Sequence, residues 1–492
     1  RSTTELHTLF YFLIFQKINF YIKIFNMAIL NNYLLRSLQI LIYLFPISFI
    51  FGNMVINIFV LLISIIGIIY YNKTLFKWLD KKPFFLIFSF FFLIIFSTVL
   101  YIIFENNYTD SIKSLFFLRF LILLIVIKTI ISKNDLNLNY FFYTCLIIPA
   151  FLSIDIIIQF LFDKNLIGLG PIEFDKGYSE KLRYYTGIFG PELIAGGYIQ
   201  MFSILGIFSI FKILRNKNKI LPYLGFFFLI ILFLIALSLA GNRMPLILFI
   251  FFLLSSGLVM KMKAKKIYFF GTSVLIVIIF CSISLKSEVF TKTYENFFGS
   301  IPNPKLIVKE LKKSYPDLKK YENSGKQFYT LDESKTIKNY ENYPFFSGHL
   351  SIYITSIDLF LENPILGRGI KSFRNNCIKK IHLPNRVCES HPHNFALEIL
   401  NDTGILGFVL LMLLIIYLLF LNYKTYRLEN LKKSKIPDWI YLTIILTVFI
   451  QFFPFRSSGS FFSTFNAAYT FLIIGISIGI NELSHKKTQI KR

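Results

Sequence analysis

Residues 84–104 read FFLIFSFFFLIIFSTVLYIIF, 21 positions without a single charge. A bilayer core of about 30 Å takes about 20 apolar residues in a helix, because lipid offers no partner to a bare backbone amide. The stretch therefore reads as a membrane span and sets the class of the chain. Eleven comparable stretches accompany it, near 33–52, 54–72, 112–131, 139–162, 193–213, 222–240, 244–260, 266–285, 404–422, 437–456 and 460–480. The composition agrees: of 492 residues, 55% are hydrophobic, 16% are charged and 60 are Phe. Soluble domains carry about a quarter charged residues. Apolar surface on this scale excludes a cytosolic enzyme, a disordered chain and a nucleic-acid-binding domain. Four cysteines are too few for a disulfide scaffold. Residues 1–26 precede the first Met, Met27, are broken by Lys17 and Lys23 and lack a signal-peptide cleavage site. They read as an over-extended reading frame outside the fold.

The net charge is +25, and its distribution follows the connecting loops. One set carries Lys73, Lys77, Lys81 and Lys82, then Lys128 and Lys133. It continues through Lys212, Arg215, Lys217 and Lys219, the lysines of 261–266, the basic residues of 424–435, and the tail. These make 23 basic residues against Asp80, Asp135, Glu429 and Glu482. The other set holds Gly52-Asn53, the acidic Glu105–Asp110, and a segment over 287–403 with 16 basic and 13 acidic residues. Positive loops stay inside, so both termini are expected in the cytoplasm and 287–403 outside.

The expected architecture is an all-α polytopic membrane protein of about twelve spans. An extension (1–32) leads into nine helices (33–286). An outer loop domain (287–403) follows, then three helices (404–480) and a basic tail (481–492). No inverted repeat of the transporter kind is visible. Arg119 and Asp155 are the charges placed within spans, in the fourth and fifth. Other polar residues collect at the outer helix ends, which suits a site at the outer boundary better than a proton-coupled pathway.

The most informative segment there is CESHPHNFALEILNDTGILG, residues 388–407. Asn394 reads as a helix N-cap, Leu397, Ile399 and Leu400 give a short apolar face, and Gly404 is expected to end or bend that helix. His393 would sit at the helix N-terminus, where the dipole disfavours imidazolium and leaves a neutral ring able to act as a base. On these residues alone, two histidines idle in a wet loop, or holding a stray metal, read equally well. Leu350, Ile354, Ile357 and Leu361 have helical spacing and predict an amphipathic helix stopped at Asn363-Pro364; simple loop core is the other reading. The Lys-rich stretch 305–338 carries no motif.

His393-Asn394, nine residues, then Gly404-x-x-Gly407 resembles the signature of the O-antigen ligase and O-antigen polymerase superfamily. These are bacterial polytopic, GT-C-like enzymes with one large periplasmic loop before the last three helices. RYYTGIFG (183–190), Gly241-Asn242-Arg243, NPILGRG (363–369) and SSGSFF (457–462) are similar to family stretches too. The resemblance implies a multi-pass inner-membrane glycosyltransferase with its active site on the periplasmic face. It implies transfer of a glycan from polyprenyl pyrophosphate to an acceptor hydroxyl, on the lipid A core for a ligase or on a growing glycan for a polymerase. The step would be inverting, with no cofactor, nucleotide or metal, and with membrane lipids but no nucleic acid as further partners. His393 becomes the base candidate, and Arg243 and Arg183 the pyrophosphate ligands, with Arg368, Arg374 and Arg119 as weaker additions. His391 is expected to shape the turn with Pro392. The rival of another class is a transporter or lipid flippase, which would depend on mid-membrane polar groups instead. Cys377 and Cys388, in an oxidising compartment, are expected to form a disulfide that fixes the approach to His393. Asn394, Gly404 and Gly407 take structural roles, and Cys145 and Cys281 are expected to stay free.

Overall fold

The computed structural model describes residues 29–76, 82–105, 111–174, 182–215, 220–259, 348–381, 386–429 and 436–489, with short pieces between 271 and 282. Its helices are α1 (29–48), α2 (Asn53–Tyr71), α3 (Lys82–Glu105), α4 (Ser111–Ser132), α5 (Leu138–Phe162) and α6 (Ala195–Gly206, prolonged by tighter turns to Ile213). They continue with α7 (Leu221–Leu239), α8 (Arg243–Val259), α9 (Gly348–Glu362), α10 (Phe395–Glu429), α11 (Asp438–Gln451) and α12 (Thr464–Gln489). Eight of them are long and apolar enough to cross a membrane: α2 to α7, α10 and α12. The spans expected near 33–52, 244–260 and 437–456 fall on α1, α8 and α11, which are helical but shorter or more polar. The span expected at 266–285 lies largely outside the described residues, as do residues 1–28, Cys281 and the stretch 305–338. Among the described residues the only strands are β1 (Ile172–Phe174) and β2 (Leu182–Tyr184). They pair antiparallel in the loop after α5, with Glu173 opposite Arg183.

Helix α12 is the innermost element, and every residue from 466 to 484 is buried. Gly475 and Gly479 let it approach α4 closely. A Cβ on Gly475 would stand 2.9 Å from the Leu124 carbonyl oxygen, and one on Gly479 2.9 Å from that of Lys128. Small residues one turn apart are the usual device for such crossings in lipid. Lys128, expected in a cytoplasmic loop, is instead fully buried on α4, with Nζ 2.9 Å from Glu482 Oε2 on α12. A cation can be buried there because the residue read as part of the tail supplies its counter-ion.

Two features shape the outer end. Helix α9 does form and stops before Asn363-Pro364; of the expected apolar stripe Ile354 is buried but Leu361 is exposed. The other buried residues are Ser351, Ile352, Thr355, Ser356 and Leu359. The helix turns that way because Ile352 and Leu359 pack with Phe373 and Cys377, while Ser356 accepts from Asn401 of α10. Helix α10 is broken at Gly404, whose φ of 64° and ψ of −171° are non-helical. The segment 363–369 fills the break. Ile405 N donates to Pro364 O (2.8 Å) and Leu406 N to Ile365 O (3.4 Å), while Arg368 N donates to Asn401 O (2.9 Å) and Gly369 N to Asp402 O (2.8 Å). These are the amides and carbonyls that a continuous helix would have paired with one another. The loop is thereby spliced into the ladder of the helix, and these backbone groups keep partners across the break.

Candidate active site

The splice sets the direction of the short helical segment 395–403. Asn394 caps it: its Oδ1 accepts from Leu397 N at 3.2 Å, satisfying one orphan amide. The same side chain donates through Nδ2 to the carbonyls of Pro454 (2.8 Å) and Arg456 (3.2 Å). Just before it, His393 holds φ at 54°, a left-handed value that costs a non-glycine residue energy unless its surroundings enforce it. Here the α11–α12 loop does so, with Ser458 N donating to His393 O at 2.9 Å. One turn into the helix, the buried Glu398 accepts from Ser460 Oγ and Phe461 N, both at 2.5 Å. The stretches 393–398 and 457–462 thus form one unit, although 60 residues separate Asn394 from Pro454. Asp402, also buried, holds the next turn by accepting from Lys371 N (2.6 Å) and Ser372 Oγ (2.9 Å). Cys377 and Cys388 are joined by a disulfide with Cα atoms 5.0 Å apart; Cys145 is free and buried.

Three imidazoles meet at this point. The His393 ring centroid lies 4.1 Å from that of His391 and 5.2 Å from that of His349, the latter pair edge to face. Burial, then the neighbouring His391 and His349, push the pKa of His393 down to about 4. Its ring is neutral at pH 7, with a nitrogen lone pair available. Burial, followed by the charge of Arg243, also lowers the pKa of His349. Arg243, from the other half of the chain, therefore acts on the same patch.

Arg243 opens α8 immediately after the α7–α8 turn. Gly241 has φ of 70°, and a Cβ there would stand 2.0 Å from the Tyr184 ring. Tyr185 N donates to Leu239 O at 3.3 Å, and Asn242 Oδ1 accepts from Gly196 N at 3.2 Å. The 183–190 stretch and the Gly-Asn-Arg turn are therefore packed on each other. Asp155 and Gln159 hold this loop from α5: Asp155 accepts from Leu166 N (2.9 Å) and Gln159 Oε1 from Gly187 N (2.9 Å).

The remaining sequence candidates lie as follows. Arg183 pairs with Asp163 (3.1 Å) and Glu173 (3.0 Å) on the hairpin. Arg368 is buried against Glu362. Arg119 lies 4.3 Å over the Phe120 ring and donates to Phe116 O at 2.6 Å. Arg374 sits in a short helix (Phe373–Asn376) next to the disulfide. Gly407 packs under Thr403. Sequence reasoning missed His349 and Arg456. The first stands alone in a helix with no motif around it. The second, buried against Gln451 Oε1 (2.5 Å) and over the Phe395 ring (5.3 Å), reads in sequence as an ordinary helix-end cation.

Residues 226–412 match the family model of the O-antigen ligases. The match spans Arg243, His349 and His393 and stops short of Arg183 and the 457–462 loop. No curated protein matches the chain.

Proposed function

We propose that this chain, placed by residues 226–412 in the O-antigen ligase and polymerase superfamily, is an O-antigen ligase-type glycosyltransferase. The superfamily and the eight apolar helices make it an integral inner-membrane protein. In our reading it moves a glycan from a polyprenyl pyrophosphate to an acceptor hydroxyl of the lipid A core, at the periplasmic face. The carrying observation is the meeting of a neutral, half-buried histidine with a patch that Arg243 serves from the opposite half of the chain.

The chemistry follows from these groups. His393 takes the proton of the acceptor hydroxyl, and the oxygen attacks the anomeric carbon. The bond from that carbon to the phosphate oxygen breaks, its electron pair leaving on the pyrophosphate. Direct displacement inverts the anomeric centre. Arg243 meets the developing negative charge with a guanidinium that never deprotonates and binds phosphate oxygens in pairs. A base works best with a pKa near the operating pH. An anionic donor beside the three imidazoles raises that of His393 toward this range. The step needs no metal.

The test is glycan transfer from purified lipid-linked donor, with donor binding measured separately. His393→Ala is expected to lower the rate by about 10²–10⁴ with binding nearly intact. Arg243→Ala is expected to be almost inactive, and Arg243→Lys impaired because charge remains but bidentate geometry is lost. Transfer at the wild-type rate by Arg243→Ala would overturn the pyrophosphate site.

A further inference from the structure

Building on the donor reading above, we propose that His349 is a second ligand of the donor pyrophosphate. It joins Arg243 and takes up one proton from solvent as the donor binds. His349 lies in the first turn of α9, where protein packed around the ring partly desolvates it while part of its surface stays open to solvent, so a ligand can reach it. Its ring meets the His393 ring edge to face at 5.2 Å, which places it beside the proposed base. Tyr353, one turn on, lies 6.4 Å away between ring centroids.

The charged and titratable groups around His349 are Arg243 of α8, Glu389, His391 and His393 of the segment before α10, and Tyr353 of its own helix. Burial and Arg243 disfavour its protonation, and Glu389 favours it. The free enzyme therefore holds this ring neutral. A pyrophosphate between Arg243 and His349 cancels the field of the guanidinium and offers oxygens to a protonated ring. The site then has two cations while the donor is present and one when it is absent. Such a device grips an anionic headgroup and loosens when the proton departs.

The sign follows by linkage. A group that is neutral when free and protonated when bound makes binding tighter as pH falls toward its free pKa. The experiment titrates the full-length protein in detergent with farnesyl pyrophosphate and with inorganic pyrophosphate. It runs at about pH 6 and about pH 8, in two buffers of different ionisation heat, across the histidine range. The wild type is expected to bind more tightly at the lower pH and to take up protons. His349→Gln is expected to bind about ten- to hundredfold more weakly at the lower pH, the loss of a charge-assisted hydrogen bond, and to lose its share of the uptake. His349→Arg is expected to bind with no such uptake, which separates a lost ligand from a damaged fold.

Displacement of farnesyl pyrophosphate by inorganic pyrophosphate supports one headgroup site. Inorganic pyrophosphate binding without displacement overturns the assignment. Wild-type binding with unchanged affinity and uptake in His349→Gln overturns the role of His349 alone. If the wild type binds neither probe, the donor reading fails instead.

Discussion

Replacing Gly404 by Ala puts the splice between 363–369 and α10 under direct load. The backbone there has φ of 64° and ψ of −171°, a region that is open essentially to glycine and costs another residue about 1–3 kcal/mol. Space is the larger problem. The new Cβ would stand 2.2 Å from the Ile365 carbonyl oxygen, 2.3 Å from its carbon and 2.6 Å from Leu366 N. All three are backbone atoms and cannot rotate aside. Relief requires the 363–369 segment to withdraw, which exposes the four backbone hydrogen bonds of the splice, each contributing about 1 kcal/mol net. Strain plus partial loss of the bonds gives about 3–6 kcal/mol, a large fraction of the stability of an ordinary domain. Movement there also shifts the 395–403 segment and with it His393, so glycan transfer falls as well. The measurements are the melting midpoint in detergent and hydrogen exchange at Arg368, Gly369, Ile405 and Leu406. Gly197→Ala is the control, because nothing lies within 4 Å of its Cβ position. A Gly404→Ala protein with wild-type melting and wild-type protection at Arg368 and Gly369 would refute the reasoning.

His391→Ala is expected to slow transfer far less than His393→Ala; equal small losses would reduce the pair to a turn. With the pKa of His393 held at about 4, a base that must be neutral stays active well below pH 6.5. The acid limb of kcat/KM, which reports the free enzyme, is expected near pH 4, and a limb near 6.5 contradicts the assignment. Cys377→Ser opens a closure of 11 residues and is expected to cost about 3 kcal/mol in the loop-entropy account. An unchanged melting midpoint, with and without reductant, speaks against that contribution. Reporter fusions at Lys263 and near Lys326 are expected to report opposite compartments, and one shared compartment would sink the proposed topology.

Much of this protein was open to reading residue by residue. Apolar length dictates a spanning helix without reference to neighbours, so FFLIFSFFFLIIFSTVLYIIF announced α3 and the class of the chain. Local chemistry likewise made Asn394 a helix cap and Gly404 a break, since a cap needs one side-chain oxygen and a break one residue free of a Cβ. Burial is different, because it depends on what packs opposite. Lys128 looked like a loop cation until α12 brought Glu482 against it, and the buried face of α9 was chosen by the disulfide cluster and Asn401. The places of the arginines were settled in the same way: Arg183 lies between Asp163 and Glu173, Arg119 over the Phe120 ring and Arg368 against Glu362, none of which spacing along the chain could show. Only tertiary structure could bring His349 to His393 across 44 positions of chain. Sequence spacing specifies side chains one or two turns apart. Which side chains meet across α8, α9 and α10 is decided by how the helices pack and by the splice at Gly404.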